Sequence, residues 1–415
     1  MYDYVIIGGG ISGLYNYIKL HEKNSHLKIK LLEKNDYFGG RIKQHEEMYN
    51  GNNYSIPCGA ARFNNNHVNV VKLMKAYNLL DMRKEKGKYP ITKFIDCKRQ
   101  FDKKYENSIG FEYIDQVMKY AENTELGLLR HFTFYEYAKQ YLTPKELDFI
   151  LSSCGYSGQL KHMNMFDAYY LFKNGIRQDL RFWLGKFQIL INAMLKHMKT
   201  MKAEMSLRSN VSSVIYDTKL NAYRISINRN TIIHAEKIVF CIPKEALLKM
   251  NILKPIFPIL ESSITTKSLC RVYAIFDPLT SPWLKTLNYK ITTNNELRFI
   301  IPIDPEKGLI MISYTDDEHT KFWHKRKNNQ VIMKKTIVKL VNDTFNIKIN
   351  EPLKVITCFW DSGVAYWNSK VNSSRVSEFL INPMPNIYIC GENYSQTQSW
   401  VEGALQTCNQ FLSSQ

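Results

Sequence analysis

The chain has 415 residues and carries 56 Lys and Arg against 38 Asp and Glu, a formal charge of +18, with 45% hydrophobic and 13% aromatic residues. That profile excludes a mostly disordered chain, a collagen and a coiled coil, and at roughly 150 residues per domain it predicts two or three domains. The charge raises nucleic acid, an anionic membrane surface or an acidic substrate as partners, but the basic residues are dispersed, the densest groups being Lys325-Arg326-Lys327 and short clusters near 83–104. None alternates with aromatics as a single-strand binding surface would, so no specific nucleic-acid partner is expected.

Tyr4-Val5-Ile6-Ile7 is a short apolar run that reads as a buried strand. Gly8-Gly9-Gly10-Ile11-Ser12-Gly13 follows at once and contains Gly8-x-Gly10-x-x-Gly13. Residues 14–22, apolar or aromatic at 14, 15, 17, 18 and 20, then read as a helix against a sheet, and 27–32 as a second strand ending at Glu33. Strand, glycine turn, helix, strand and acidic residue in this order form a dinucleotide-binding pattern. Gly8 allows the tight turn, Gly10 lets backbone approach a pyrophosphate, and Gly13 lets the helix pack closely on the strand. With Ile11 and Ser12 in the turn, the helix N-terminus presents free N–H groups to the phosphates. Glu33 would accept hydrogen bonds from an adenosine ribose. Gly39-Gly40-Arg41, after the second strand, gives another close backbone approach plus a guanidinium for a phosphate or a flavin.

Glu33-x(5)-Gly39-Gly40-Arg41 after a Rossmann turn resembles the FAD-dependent amine oxidase superfamily, which includes monoamine, polyamine and L-amino acid oxidases. The resemblance continues in chain order. Gly59-Ala60-Ala61-Arg62-Phe63, with His67 and the helical stretch 70–74, looks like the family segment that runs under the flavin. Residues 206–214, centred on Val211, precede a hairpin that leads into 237–243, similar to the stretch where a valine backbone meets the adenine. Ile387-Tyr388-Ile389-Cys390-Gly391-Glu392, followed by Trp400-Val401-Glu402-Gly403-Ala404-Leu405, resembles the closing FAD motif, in which a helix N-terminus points at the flavin carbonyl. Gly391, Glu392, Trp400, Val401 and Ala404 are therefore expected at the cofactor, as are Ala60, Ala61, Arg62 and Val211.

The resemblance implies an α/β protein with a discontinuous Rossmann-like FAD-binding domain, roughly 1–75, 200–260 and 380–415. An α+β substrate-binding domain of 76–199 and 261–379 is inserted in it. The first insert reads as largely helical; the second has strand-like runs at 270–276, 298–303 and 308–314 and a helix around 329–343. The implied activity is oxidation of the C–N bond of a small amine or amino acid by hydride transfer to FAD, with oxygen taking the electrons to give hydrogen peroxide. Two alternatives are a flavin-dependent C–C dehydrogenase and an FAD-binding structural or assembly protein without turnover.

Trp400 matches a position from which an aromatic ring projects over the substrate side of the flavin. Its partner is expected in Trp360-Asp361-Ser362-Gly363-Val364-Ala365-Tyr366-Trp367, where strict register gives Ala365 and a slip of one gives Tyr366. Val364 stands where some monoamine oxidases attach flavin through cysteine, so FAD is expected to be non-covalent. Arg62 matches an arginine that grips a substrate carboxylate in L-amino acid oxidases. The lysine that binds a water near the flavin in the family has no clean match: register places Arg271 there, with Lys267 four residues earlier. Arginine does not titrate usefully, so it could position water but not shuttle a proton.

The eight cysteines are scattered, with no CxxC pair and no zinc spacing, so a disulfide framework and a metal site are not expected. There is no signal-peptide pattern and no 18-residue apolar run, which reads as a soluble protein of a reducing, cytoplasmic compartment. Frequent Lys, Asn, Ile and Tyr with sparse Ala, Gly and Pro match an AT-rich genome such as that of a large DNA virus, in which case packaging in a virion is the alternative location. Assembly as a homodimer is compatible with the sequence, though not dictated by it.

Overall fold

The computed structural model describes residues 1–80, 92–102, 105, 110–175 and 182–415; the basic clusters near 83–104 lie in part outside them. The chain opens with β1 (Tyr2–Ile7), α1 (Ile11–Lys23) and β2 (Ile29–Leu32), followed by a hairpin of β3 (Gln44–Tyr49) and β4 (Asn52–Pro57), then β5 (Arg62–Asn64) and α2 (Val68–Ala76). After β6 (Thr92–Ile95) comes a helical stretch: α3 (Phe111–Glu122), α4 (Leu126–Leu129), α5 (Phe134–Ala138), α6 (Pro144–Ser153), α7 (Gly158–His162) and α8 (Met165–Gly175). Thr133 and Thr143 start α5 and α6 with reciprocal capping boxes to Glu136 and Glu146, and Pro144 takes the first turn of α6. A short β7 (Phe182–Leu184) precedes α9 (Phe187–Thr200).

The middle of the chain returns to β structure. It runs through β8 (Glu204–Ser206), β9 (Val211–Asp217), β10 (Ala222–Ile227) and β11 (Thr231–Phe240), then α10 (Lys244–Leu247), α11 (Phe257–Ser263) and β12 (Ile264–Ile275). There follow β13 (Lys290–Thr293), β14 (Phe299–Asp304), β15 (Leu309–Asp316), α12 (Thr320–His324), α13 (Gln330–Phe345) and β16 (Lys354–Trp367). The chain closes with α14 (Ser373–Ile381), β17 (Ile387–Ile389) and α15 (Val401–Ser413).

Two large sheets result. In the first, of seven strands, the order is β8-β2-β1-β11-β10-β9, with β17 also paired to β11. Strands β8, β2, β1, β11 and β17 are mutually parallel, while β9, β10 and β11 form an antiparallel meander. Parallel strands buried on both faces must be apolar throughout, and β1 shows this: Val5, Ile6 and Ile7 are all buried. Side chains of α1, α2, α9 and α15 cover one face of this sheet. The other face packs on residues of α11, α14 and the turn before them.

The second sheet has six strands in the order β16-β12-β15-β14-β13-β6. One face meets the β3–β4 hairpin through Tyr54, Ile56 and Cys58. On the other, Val272 and Ile312 pack with Trp323 of α12 and Ile337 of α13. Helices α3 to α8 enclose a core of their own, into which Tyr366 of β16 reaches.

One expectation needs correction. Cys58 and Cys358 are joined in a disulfide across 300 positions, with Cα atoms 5.2 Å apart. The packing of the β3–β4 hairpin on β12 and β16 brings them together, and nothing in the spacing of the cysteines announces it. The other cysteines are free, and Cys270, Cys390 and Cys408 are buried as small apolar side chains.

Candidate functional site

A cavity of about 1100 Å³ opens at the carboxyl ends of β1 and β11 and extends to the near edge of the second sheet. Ligands of open parallel sheets bind at this end of the strands. The volume lies just above the range of about 300–1000 Å³ usual for small-molecule sites, which suits a dinucleotide with room beside it.

At one end stand the glycine turn and its helix. Gly8 sits at φ +110°, a conformation that L side chains rarely adopt, and a Cβ added at Gly13 would lie 2.0 Å from the Gly8 carbonyl oxygen. The N-terminus of α1 carries no side-chain cap and no acidic residue in its first turn, so its N–H groups and positive dipole face the cavity unspent. The second glycine loop joins the first: Gly10 bridges Gly39, and the Gly39 N–H donates to Gly9 O at 2.8 Å. Glu33, 5% exposed, accepts from the Gly9 N–H at 2.7 Å and from the Asn35 N–H at 2.8 Å, which fixes its carboxylate at the rim of the turn. Val211, with Ser209 and Asn210, lines the same end.

The C-terminal motif meets this loop from the other side. Arg41 pairs with Glu392 and also donates to Gly363 O at 3.3 Å. Glu392 further accepts from Asn393 Nδ2 at 2.7 Å and from the Ser399 N–H at 2.8 Å. Helix α15 begins at Trp400 without a side-chain cap. The acidic residue in its first turn, Glu402, is turned away: its carboxylate accepts the Asn69 and Val70 N–H groups at the start of α2, at 3.1 and 3.0 Å. Two uncapped helix N-termini therefore converge on one cavity, an arrangement that favours a ligand with phosphates or electron-rich carbonyls. Trp400 is held edge-on against His67, ring centroids 4.6 Å apart. Burial pulls the His67 pKa down to about 4.

The far wall comes from the second sheet. Leu269 and Arg271 of β12, Tyr314 of β15, and Trp360 and Val364 of β16 line it. Arg271 faces Tyr314 across the ladder, and Leu269 faces Trp360. Arg271 donates to Pro57 O at 3.0 Å, to Gly59 O, and to the Tyr314 hydroxyl at 3.1 Å. The Trp360 ring N–H donates to Cys58 O at 2.7 Å and the Tyr273 hydroxyl to Pro57 O at 2.6 Å. The strip 57–59 is thus clamped by three side chains of the second sheet as well as by the disulfide.

Of the residues singled out in the sequence, Gly8, Gly10, Ile11, Ser12, Glu33, Gly39, Gly40, Arg41, Ala60, Val211, Arg271, Gly391, Glu392, Trp400, Val401 and Ala404 all stand in this wall. Gly13 lies behind it, at the helix–strand contact. Ala61, Arg62, Lys267 and Tyr366 are not in the wall. Arg62 sits on β5, and its charge, after burial, helps push the Lys290 amine down to about 6.

Lys267 would share a face with Arg271 in a regular strand, but the pairing with β16 is irregular here: the two steps from Lys267 to Leu269 lie against four from Val364 to Trp360. Lys267 instead pairs with Asp317 at 3.1 Å. The slip that would bring Tyr366 to the site does not occur: its ring stacks on His162 in the helical core, while Ala365 is buried in the core of the first sheet. The rings that the second sheet brings to the wall are Trp360 and Tyr314. Trp360 opens the segment in which the aromatic partner is expected; Tyr314 carries no signal beyond lying in a strand-like run.

Among the described residues no helix is long and apolar enough to cross a membrane, and no group of three or more His, Cys, Asp or Glu is placed to hold a metal ion.

A family model described as an NAD(P)-binding Rossmann-like domain matches residues 6–77. Among solved structures, a cofactor-binding redesign of putrescine oxidase superposes with a TM-score of 0.75 at 13% identity, covering 100% of this chain and 98% of the other. Cyclohexylamine oxidase from Brevibacterium oxydans superposes with a TM-score of 0.75 at 15% identity, again over 100% and 98%. An uncharacterized protein of Acanthamoeba polyphaga mimivirus is 20% identical over 99% of this chain and 93% of its own length. The fold is that of these two oxidases, end to end, and the viral relative agrees with the compositional bias.

Proposed function

We propose that the protein binds FAD non-covalently and oxidises the C–N bond of a small amine or amino acid, with oxygen as the re-oxidant. The observation that carries this reading is the single cavity shared by the Gly8–Gly13 turn, Glu33, the Arg41–Glu392 pair and the Trp400–Val401 helix start. The residues fit a flavin dinucleotide: Glu33 for the adenosine ribose, the α1 N-terminus for the pyrophosphate, the α15 N-terminus for the flavin carbonyl. When bound, FAD supplies the hydride acceptor. The chain's own part is to hold strip 57–59 in place through Arg271 and Trp360, and to offer Trp400, Trp360 and Tyr314 as the aromatic surroundings of a substrate. Val364 in the wall offers no thiol for attachment.

The same reading divides the chain into an FAD-binding part, roughly 1–75, 200–260 and 380–415, and a substrate part, 76–199 and 261–379. Helix α9, packed on the first sheet, goes with the former.

Purified protein should be yellow, release free FAD on acid precipitation, and bleach when mixed anaerobically with members of an amine and amino-acid panel. Colour that stays with the precipitated chain overturns the non-covalent assignment. A second reading, C–C dehydrogenation, draws support from Arg62 lying off the wall; bleaching by unsaturable acids or alcohols but by no amine would favour it. Firmly bound FAD that nothing bleaches would favour a binding protein without turnover, in keeping with a Lys267 held by Asp317.

A further inference from the structure

Arg41, Arg229 and Arg271 line the cavity; Arg229 is exposed, and the other two differ in one respect. Arg41 has a carboxylate partner in Glu392. Arg271, only 7% exposed, has none among the described residues. The groups that face it are the hydroxyls of Tyr314, Tyr273 and Tyr156 and the carbonyls of Pro57 and Gly59. Burial opposes its charge, but these oxygen groups outweigh burial and its pKa is raised. Of the five N–H donors of a guanidinium, three are spent on Pro57 O, Gly59 O and Tyr314 Oη, and the Nε–H is buried with no partner. Neutral donors would suffice to hold two carbonyls and a hydroxyl. A permanent charge without a counter-ion in a low-dielectric wall is costly, and the cost falls when an anion enters beside it.

We propose that Arg271 is the anion-recognising residue of this cavity and that its ligand is a carboxylate, which narrows the substrate to amines that also bear a carboxyl group. The inference rests on the amine-oxidising reading above. Leu269, Tyr314 and Trp360, its neighbours on the same sheet face, suit an apolar or aromatic body attached to that carboxylate. The role that sequence resemblance assigns to Arg62 falls to a different arginine.

The other anion such a charge could meet is the reduced cofactor itself, and the test separates the two. Calorimetric titration of the protein as isolated with benzoate and with benzamide compares near-isosteres that differ in charge. Benzoate is expected to bind at least about tenfold more tightly than benzamide, since charge-assisted pairs are the stronger ones. Arg271→Gln should lose roughly 10–100-fold in benzoate affinity with benzamide unchanged, and Arg271→Lys should keep most of it. Equal binding of the two compounds by the unaltered protein overturns the proposal, as does undiminished benzoate affinity in the Gln variant. A lowered flavin midpoint potential in that variant, with benzoate affinity intact, also overturns it and gives the charge to the cofactor. Should Arg271→Gln melt too early to titrate, the benzoate–benzamide ratio of the unaltered protein and of Arg271→Lys decides. The titration needs no turnover. A protein that binds benzoate but is bleached by no amine ends the catalytic reading alone, and one bleached by amines but blind to benzoate ends this proposal alone.

Discussion

The two ends of the cavity differ in how they are built. At the dinucleotide end, contacts are made by backbone: the 8–13 turn, the 39–40 loop and two helix N-termini leave amides facing one space. At the far wall, contacts are made by side chains delivered from strands β12, β15 and β16, and the β12–β16 pairing is irregular there, between Lys267 and Leu269. Backbone contact restricts residue type and spacing severely; side-chain delivery leaves both open. The first end is therefore rigid in sequence, and the second is free to change its chemistry on the same frame.

The largest effect expected on this contrast is at Gly13. Gly13→Val places carbon 2.0 Å from the Gly8 carbonyl oxygen, a backbone atom that cannot step aside. Helix α1 must lift off β1, with a cost of roughly 1–3 kcal/mol or more from overpacking. The purified variant should lack the flavin absorption band and unfold at lower urea; a variant that stays yellow would break the claim that this end is built by close backbone approach.

The Arg41–Glu392 pair joins the two glycine motifs across the cavity and comes next. Arg41→Ala leaves Glu392, 8% exposed, with only Asn393 and the Ser399 N–H as donors. A lost charge-assisted bond of about 1.5–3 kcal/mol corresponds to roughly 10–100-fold in FAD affinity, measurable by titrating apoprotein with FAD. An unchanged FAD affinity would show that the pair belongs to the fold alone.

These expectations also mark what was legible in the sequence. The order strand, glycine turn, helix, strand and acid was readable because each step excludes most residues, and all the corresponding elements are present. The strand runs around 270–276, 298–303 and 308–314 and the helix near 329–343 were readable from apolar periodicity, and they appear as β12, β14, β15 and α13. Lys267 was misplaced because the β12–β16 pairing slips by two residues between Lys267 and Leu269, and Tyr366 because its ring is taken up by the core of α3 to α8; no local residue signals either event. The Cys58–Cys358 disulfide escaped for another reason: its two halves come from different packing units, and only their docking brings them together. The turning of Glu402 to cap α2 is a tertiary event of the same kind.

His67 sits where the two ends meet, behind Trp400, and gives the comparison a pH signature. Its Nδ1 accepts from the Asn64 N–H at 3.4 Å, and burial holds it neutral with a pKa near 4. An unfolded chain protonates this ring at about 6.5. Between pH 6.5 and about 4 the unfolded state therefore holds the extra proton, and stability falls as pH falls, by up to ~1.4 kcal/mol per pH unit for this group. Urea unfolding at pH 7, 5.5 and 4.5 should show the loss, and His67→Gln should flatten the slope by about one proton. An unchanged slope would place the acid sensitivity elsewhere, with His319, whose pKa burial also lowers to about 4, as the next group to replace.

The smallest effect expected is at Lys267, at the margin of the far wall. The side chain is 28% exposed and tied to Asp317, which His162 also holds at 2.7 Å. A mostly buried pair of this sort, in which the carboxylate keeps a second partner, contributes on the order of 1 kcal/mol. Lys267→Met should thus shift the melting midpoint by a few degrees at most and leave the anaerobic bleaching rate within about twofold, because the lost charge lies beyond the bulge and outside the cavity. Asp317, whose carboxylate burial pushes up but the hydrogen bonds of His162 and Lys267 hold well below the usual range, keeps His162 as a partner in the variant. A loss of tenfold or more in bleaching rate, with the melting midpoint preserved, would mean that β12 regains regular register when a ligand is present and that Lys267, not Arg271 alone, reaches the reacting centre.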